Sequence, residues 1–181
     1  MKLFRKWQWL PSIPATELEQ CMNSPLADEA RGFARLCDVG QNGTWAVRCH
    51  GWMKLTDEQF HVLKVKSARG PLLEWECTLW AIIKDYEAQP VRPEHVTRIL
   101  ERIEIAKDAL LIPGDVAARN FRNGLLVDLG GTKTFPLGRR FWSAKVYNRF
   151  YEDFRYTIRD WMFLEDGTVG SWHFDRHRLA T

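Results

Sequence analysis

The chain lacks most of the features that announce a membrane protein, a metal module or a disulfide scaffold. No stretch approaches the roughly 18 uninterrupted apolar residues of a bilayer span. Met1-Lys2-Leu3-Phe4-Arg5-Lys6-Trp7 carries charge but no apolar run after it, so no secretory signal is expected. Cysteine is scarce: Cys21, Cys37, Cys49 and Cys77. None forms a C-x-x-C pair, and the separations fit no usual zinc module. They are expected as reduced, mostly buried thiols in a cytoplasmic protein. No period recurs, no low-complexity linker occurs, and glycine and proline are evenly spread. Residues 1–181 are therefore expected to form a single domain.

The familiar catalytic frames are missing too. The sequence has neither a P-loop nor a G-x-G-x-x-G fingerprint. Ser12, Ser67 and Ser171 have no G-x-S-x-G context. Cys49 and His50 are adjacent, and in a strand adjacent side chains point to opposite faces, so they cannot act directly on each other. His173 and His177 are four apart, with Asp160 as a third candidate ligand, but the segment reads as a strand, which would not hold that spacing on one face. No cofactor is expected.

What is present is aromatic and locally basic. The 181 residues include nine tryptophans, and nearly half the aromatics lie between Arg139 and Phe174. Net charge is +3, unevenly spread. Residues 1–115 carry 15 basic and 16 acidic side chains, and residues 150–181 carry four and six. Residues 116–149 carry seven basic side chains and a single acid, Asp128.

Periodicity gives an expected element list. Leu3–Leu10 reads as a strand or arm, and residues 15–22 and 25–31 as short helical turns. Asn42-Gly43 signals a hairpin between Ala34–Gln41 and Thr44–His50, with Trp45, Val47 and Cys49 alternating on one face. Thr56 and Gln59 form a capping box for a helix ending near Gly70. Pro71 opens a second helix to about Glu87, with Leu72, Trp75, Leu79, Ile82, Ile83 and Tyr86 as its stripe. Pro93 opens a third, with Val96, Ile99, Leu100, Ile103, Ala106 and Leu110 on the core face. A helical turn near Asp115–Phe121 follows. A hairpin, Leu125–Leu129 with Thr132–Phe135, would turn at Gly130-Gly131 and set Asp128 opposite Lys133. Arg139 to about Asp153 reads as a helix with Ala144, Tyr147, Phe150, Tyr151 and Phe154 on one face. A last hairpin, Tyr156–Leu164 with Val169–Phe174, would pair Trp161 with Trp172 and Asp160 with His173. The competing reading is one helix continuing to Trp161. The expected fold class is α+β: an antiparallel sheet built from hairpins, with three to four helices packed on it.

The run Val127-Asp128-Leu129-Gly130-Gly131-Thr132-Lys133-Thr134 resembles the first phosphate loop of the ROK sugar kinases and the wider actin-like ATPases. That resemblance implies an Asp near a metal and a glycine turn on ATP phosphates. It spans eight residues and opens the chain in those families. Here about fifty residues follow, too few for two large domains, so Gly-Gly is read as a plain hairpin turn.

The basic stretch carries the functional expectation. Cations neutralise phosphates and release counterions, and rings stack on unpaired bases. Arg119, Arg122, Lys133, Arg139, Arg140, Trp142, Lys145 and Arg149 are the candidate nucleic-acid-binding residues. The leading reading is a non-enzymatic protein contacting nucleic acid or a nucleoprotein complex. The alternative is a protein–protein module: an inhibitor, immunity protein or assembly subunit. A third is a metal-dependent hydrolase using Asp160, His173 and His177.

Overall fold

Seven strands and four helices make up the described part of the computed structural model, residues 1–5, 24–66, 77–136 and 142–161. The class is α+β, with helices and antiparallel sheets.

Helix α1 (Pro25–Asp38) starts where Ser24 Oγ accepts a hydrogen bond from Ala27 N at 3.2 Å. Pro25 follows at the first helical position, where a missing N–H costs nothing. Glu29, Gly32, Phe33 and Leu36 form its buried face. That 3.6-residue period carries the helix through Ala34–Asp38, so the expected strand Ala34–Gln41 does not form. The turn at Asn42-Gly43 is real, with Gly43 at φ +91°. Asn42 does not pair two strands there; its side chain brackets Cys49. Oδ1 accepts from Cys49 N at 2.9 Å and Nδ2 donates to Cys49 O at 2.8 Å. Trp45, Ala46 and Val47 are all buried rather than alternating, because the segment crosses the core and bonds to Leu126 at both N and O.

The three-stranded sheet contains β1 (Lys2–Arg5), β2 (Cys49–Lys54) and β3 (Cys77–Lys84), in the antiparallel order β1-β3-β2. The expected helix from Pro71 to Glu87 is therefore overturned over residues 77–84. Leu72 and Trp75 lie outside the described residues. Leu79, Ile82 and Ile83 fit a helical stripe, yet Ala81 and Ile82 are consecutive and both buried. That is the signature of a central strand covered on both faces. Between β2 and β3, helix α2 (Asp57–Lys66) starts with the expected capping box. Thr56 N donates to Gln59 Oε1 at 3.0 Å, and Gln59 N to Thr56 Oγ1 at 3.2 Å.

After a 3-10 turn at Pro93–His95, helix α3 (Val96–Asp108) buries Ile99, Ile103 and Ala106, as its period requires. Leu110 lies past its end at φ +54°. Strand β4 (Leu111–Ile112) pairs with β7 (Lys133–Thr134), and β5 (Phe121–Arg122) pairs with β6 (Leu125–Leu126). The hairpin expected around Gly130-Gly131 is thus replaced by two pairings. Its true turn is Asn123-Gly124, both at positive φ (46° and 74°), as a two-residue hairpin demands. Asp128 is not opposite Lys133; the two serve different partners, described below.

Helix α4 (Ala144–Arg159) begins at Ser143, whose Oγ accepts from Val146 N at 3.3 Å. Tyr151 and Ile158, seven residues apart, are both fully buried on one face. Ala144, expected on that face, is exposed. The continued period carries the helix through Tyr156–Arg159, which overturns the start of the expected last hairpin and favours the longer helix. Trp161, just beyond, packs on Phe121 at 5.2 Å between ring centroids. The remainder of that hairpin, including Trp172, His173 and His177, lies outside the described residues. So do residues 15–22 and the expected helix end at Gly70.

Candidate functional site

Glu29 is the most unusual group in the core: a carboxylate on α1 at 0% exposure. An isolated buried charge costs several kcal/mol, so it must be paired. Two lysines from neighbouring strands do this. Lys2 Nζ on β1 lies 2.5 Å from one oxygen, and Lys84 Nζ at the end of β3 lies 2.6 Å from the other. The antiparallel pairing of β1 with β3 brings both strands to the same helix. Lys84 also donates to Val127 O at 2.5 Å and sits 5.7 Å from the Phe33 ring centroid.

The network opens toward solvent through Asp128. Lys2 Nζ is 2.7 Å from Asp128 Oδ1, and the Asp128 side chain is 41% exposed. The same oxygen accepts from Gly130 N at 2.7 Å, which shapes the turn. Burial by itself would raise the Asp128 pKa. The Lys2 hydrogen bond and charge, the Gly130 N–H and the Lys84 charge outweigh it, so the carboxyl titrates below its ordinary value.

Two further loops meet this corner. Leu129, fully buried, fits into the space left by Gly32 on α1, where an added Cβ would stand 2.8 Å from Leu129 Cδ2. Gly114 abuts Gly131 so closely that a Cβ would meet its carbonyl carbon at 2.7 Å. Asp115, next to Gly114, accepts from Ala117 N at 2.9 Å and pairs with Arg119. Asn120 donates its amide to Asp115 O at 3.3 Å, and its own carbonyl accepts from Val127 N at 2.8 Å. Asp115, Asn120 and Asp128 are therefore held in adjoining, mutually bonded loops. Asp28, beside Glu29, is separately paired with Arg31 at 2.6 Å and Lys133 at 2.9 Å.

The basic residues picked from sequence fall on separate elements. Arg119 binds Asp115, and Arg122 donates to the carbonyls of Arg119 and Phe121. Lys133, on β7, is bound to the buried Asp28 carboxylate. Trp142 packs edge-on against Phe135 at 5.5 Å and tilted against Tyr147 at 5.4 Å. Lys145 and Arg149 are exposed on the first turns of α4. Arg139 and Arg140 lie outside the described residues. Asp160 caps the end of α4, and its proposed partners His173 and His177 are outside as well. Among the described residues no group of three His, Cys, Asp or Glu is placed to hold a metal. Cys37 is exposed, contrary to the expectation of buried thiols, while burial pushes the half-buried Cys49 thiol up.

Sequence reading missed Lys2, Glu29 and Lys84 altogether. A usable signal existed only downstream, in the spacing Asp115 to Asn120 followed by Asp128-Leu129-Gly130.

On its tertiary structure the protein is an α+β protein organised round a buried, lysine-paired glutamate, and no described helix is long and apolar enough to cross a membrane. Residues 1–133 match the family "Kinetochore Sim4 complex subunit FTA2", and with 133 of 181 residues covered the chain belongs to that family. No curated protein and no solved structure matches it.

Proposed function

We propose that the protein acts as a non-catalytic subunit of a kinetochore assembly of the Sim4 type, bound through protein partners and resident in the nucleus rather than the cytoplasm. The family match over residues 1–133 carries this reading. It favours the assembly-subunit alternative over nucleic-acid binding. An exposed aromatic pair on the three-stranded sheet supports it. Trp52 is 66% exposed and lies 5.3 Å from Trp80 in an edge-on arrangement. Tryptophan is enriched among residues whose loss weakens protein interfaces.

The test is purification of the tagged protein from its native host, with and without nuclease. Kinetochore subunits should remain in stoichiometric amounts after nuclease, and Trp52→Ser should deplete them. Loss of the partners on nuclease treatment would contradict the reading. It would point instead to nucleic-acid contacts by Arg119, Arg122, Lys133, Arg139, Arg140, Trp142, Lys145 and Arg149.

A further inference from the structure

The network around Glu29 contains more charge than stability calls for. Lys84 is nearly buried, contacts Glu29 directly and is itself completed by Val127 O, so it can neutralise the carboxylate alone. A buried pair of that kind is at best neutral against apolar packing. Lys2 and Asp128 add a second cation and a second anion at the solvent-facing edge. A lysine ammonium has three donors. Two are directed to Glu29 and Asp128; among the described residues no third hydrogen-bond acceptor meets Lys2, whose Nζ otherwise lies 4.9 Å from the Phe4 ring centroid, which leaves one donor for a ligand.

We propose that Lys2, Asp128 and Asn120, with Glu29 positioning Lys2, form a binding site for the phosphates of a magnesium-bound nucleoside polyphosphate. Each group has a distinct task. Lys2 is a point charge for phosphate oxygen. Asp128 and the side-chain oxygen of Asn120 are hard oxygen donors for magnesium. That ion is usually held by one or two carboxylates together with substrate phosphates, not by an all-protein cage. Asn120 has its amide nitrogen committed to Asp115 O, so the oxygen is the end available for a cation. The bonds from Val127 N to Asn120 O and the Gly114–Gly131 contact hold the two oxygen donors in adjoining loops before any ligand arrives.

The same parts serve this purpose in protein kinases: a strand lysine paired to a helix glutamate, an Asp-x-x-x-x-Asn loop and an Asp-x-Gly turn. Here they are Lys2 with Glu29, Asp115 to Asn120, and Asp128-Leu129-Gly130. The chain also departs from that pattern. Pro113-Gly114 precedes Asp115 in place of His-Arg, Leu129 stands for Phe, and Lys84 adds a second cation on Glu29. No G-x-G-x-x-G loop occurs in the sequence to cover the phosphates. What is proposed is binding, and it stands independently of the assembly reading.

Calorimetric titration of the full chain with ATP and magnesium tests it, with parallel arms in excess EDTA and with magnesium tripolyphosphate. Saturable binding is expected with magnesium ATP, lost in EDTA and weaker for tripolyphosphate. Asp128→Asn keeps an oxygen for Gly130 N but removes the charge, and Asn120→Ala removes the second oxygen donor. Each should weaken binding at least about tenfold, the smaller end of what disturbing a metal's support costs. Circular dichroism melting identifies which variant is folded. No saturable binding by the wild-type chain would overturn the proposal. So would equal affinity in EDTA, or wild-type affinity in a folded Asp128→Asn or Asn120→Ala variant. Equal binding of tripolyphosphate would overturn the nucleoside part.

Discussion

Replacing Glu29 by Gln separates charge from shape at the centre of the fold. The carboxylate is fully buried, with a lysine within 2.6 Å of each oxygen. Gln keeps one acceptor but turns an amide NH2 toward the other ammonium, so one charged hydrogen bond is lost outright. Such a bond contributes roughly 1.5–3 kcal/mol. Breaking a buried pair by removing one partner costs about 3–5 kcal/mol. Lys2 is partly exposed and retains Asp128, so the lower end applies, about 3 kcal/mol. The assay is urea unfolding, with the midpoint falling and the m-value unchanged. The double variant Glu29→Gln with Lys84→Met removes both members of the inner pair. It should be less destabilised than the sum of the singles, by about 1–3 kcal/mol of coupling. A Glu29→Gln protein within about 0.5 kcal/mol of wild type, or strictly additive singles, would refute the network's role.

Two other outcomes follow from the same corner. Gly114→Ala should lower the thermal midpoint, because its Cβ would press on the Gly131 backbone at 2.7–3.0 Å; an overpacking cost of about 1–3 kcal/mol is expected. The Asp128 carboxyl is held below its ordinary value, so its contribution is present above the unfolded pKa of about 4 and is lost as pH falls through the lower folded value. Acid unfolding of Asp128→Asn should therefore show a flatter dependence in that window, and an unchanged acid limb would contradict the assignment.

Local rules were legible wherever a single stretch decided the outcome. The Thr56–Gln59 box and the stripe Ile99, Ile103, Ala106 need only neighbours within two turns. Short apolar runs were not. Leu79, Ile82 and Ile83 satisfy a helical stripe and a strand equally, and what decides is pairing with β1 and β2. The β-branched and aromatic content of Thr78, Trp80, Ile82 and Ile83 was the available hint. The dipeptide Asn-Gly occurs at 42–43 and 123–124, and only the second closes a hairpin, because the first follows a helix whose apolar face had not ended. The site was least visible. Lys2 lies 27 residues from Glu29 and 126 from Asp128, separations that no local pattern records. The excess of positive charge at 116–149 is a fact of composition and says nothing about partners. Lys133 and Arg119 face Asp28 and Asp115, one from outside the stretch and one from its edge.

A subunit of a kinetochore assembly works at the centromere. Fluorescent tagging of the protein in its native host, imaged together with a centromere marker, reads that location. Discrete nuclear foci are expected that coincide with the marker and persist when Arg139, Arg140 and Arg149 are replaced together by Ala. Diffuse cytoplasmic signal, or foci that disappear with those arginines, would contradict it.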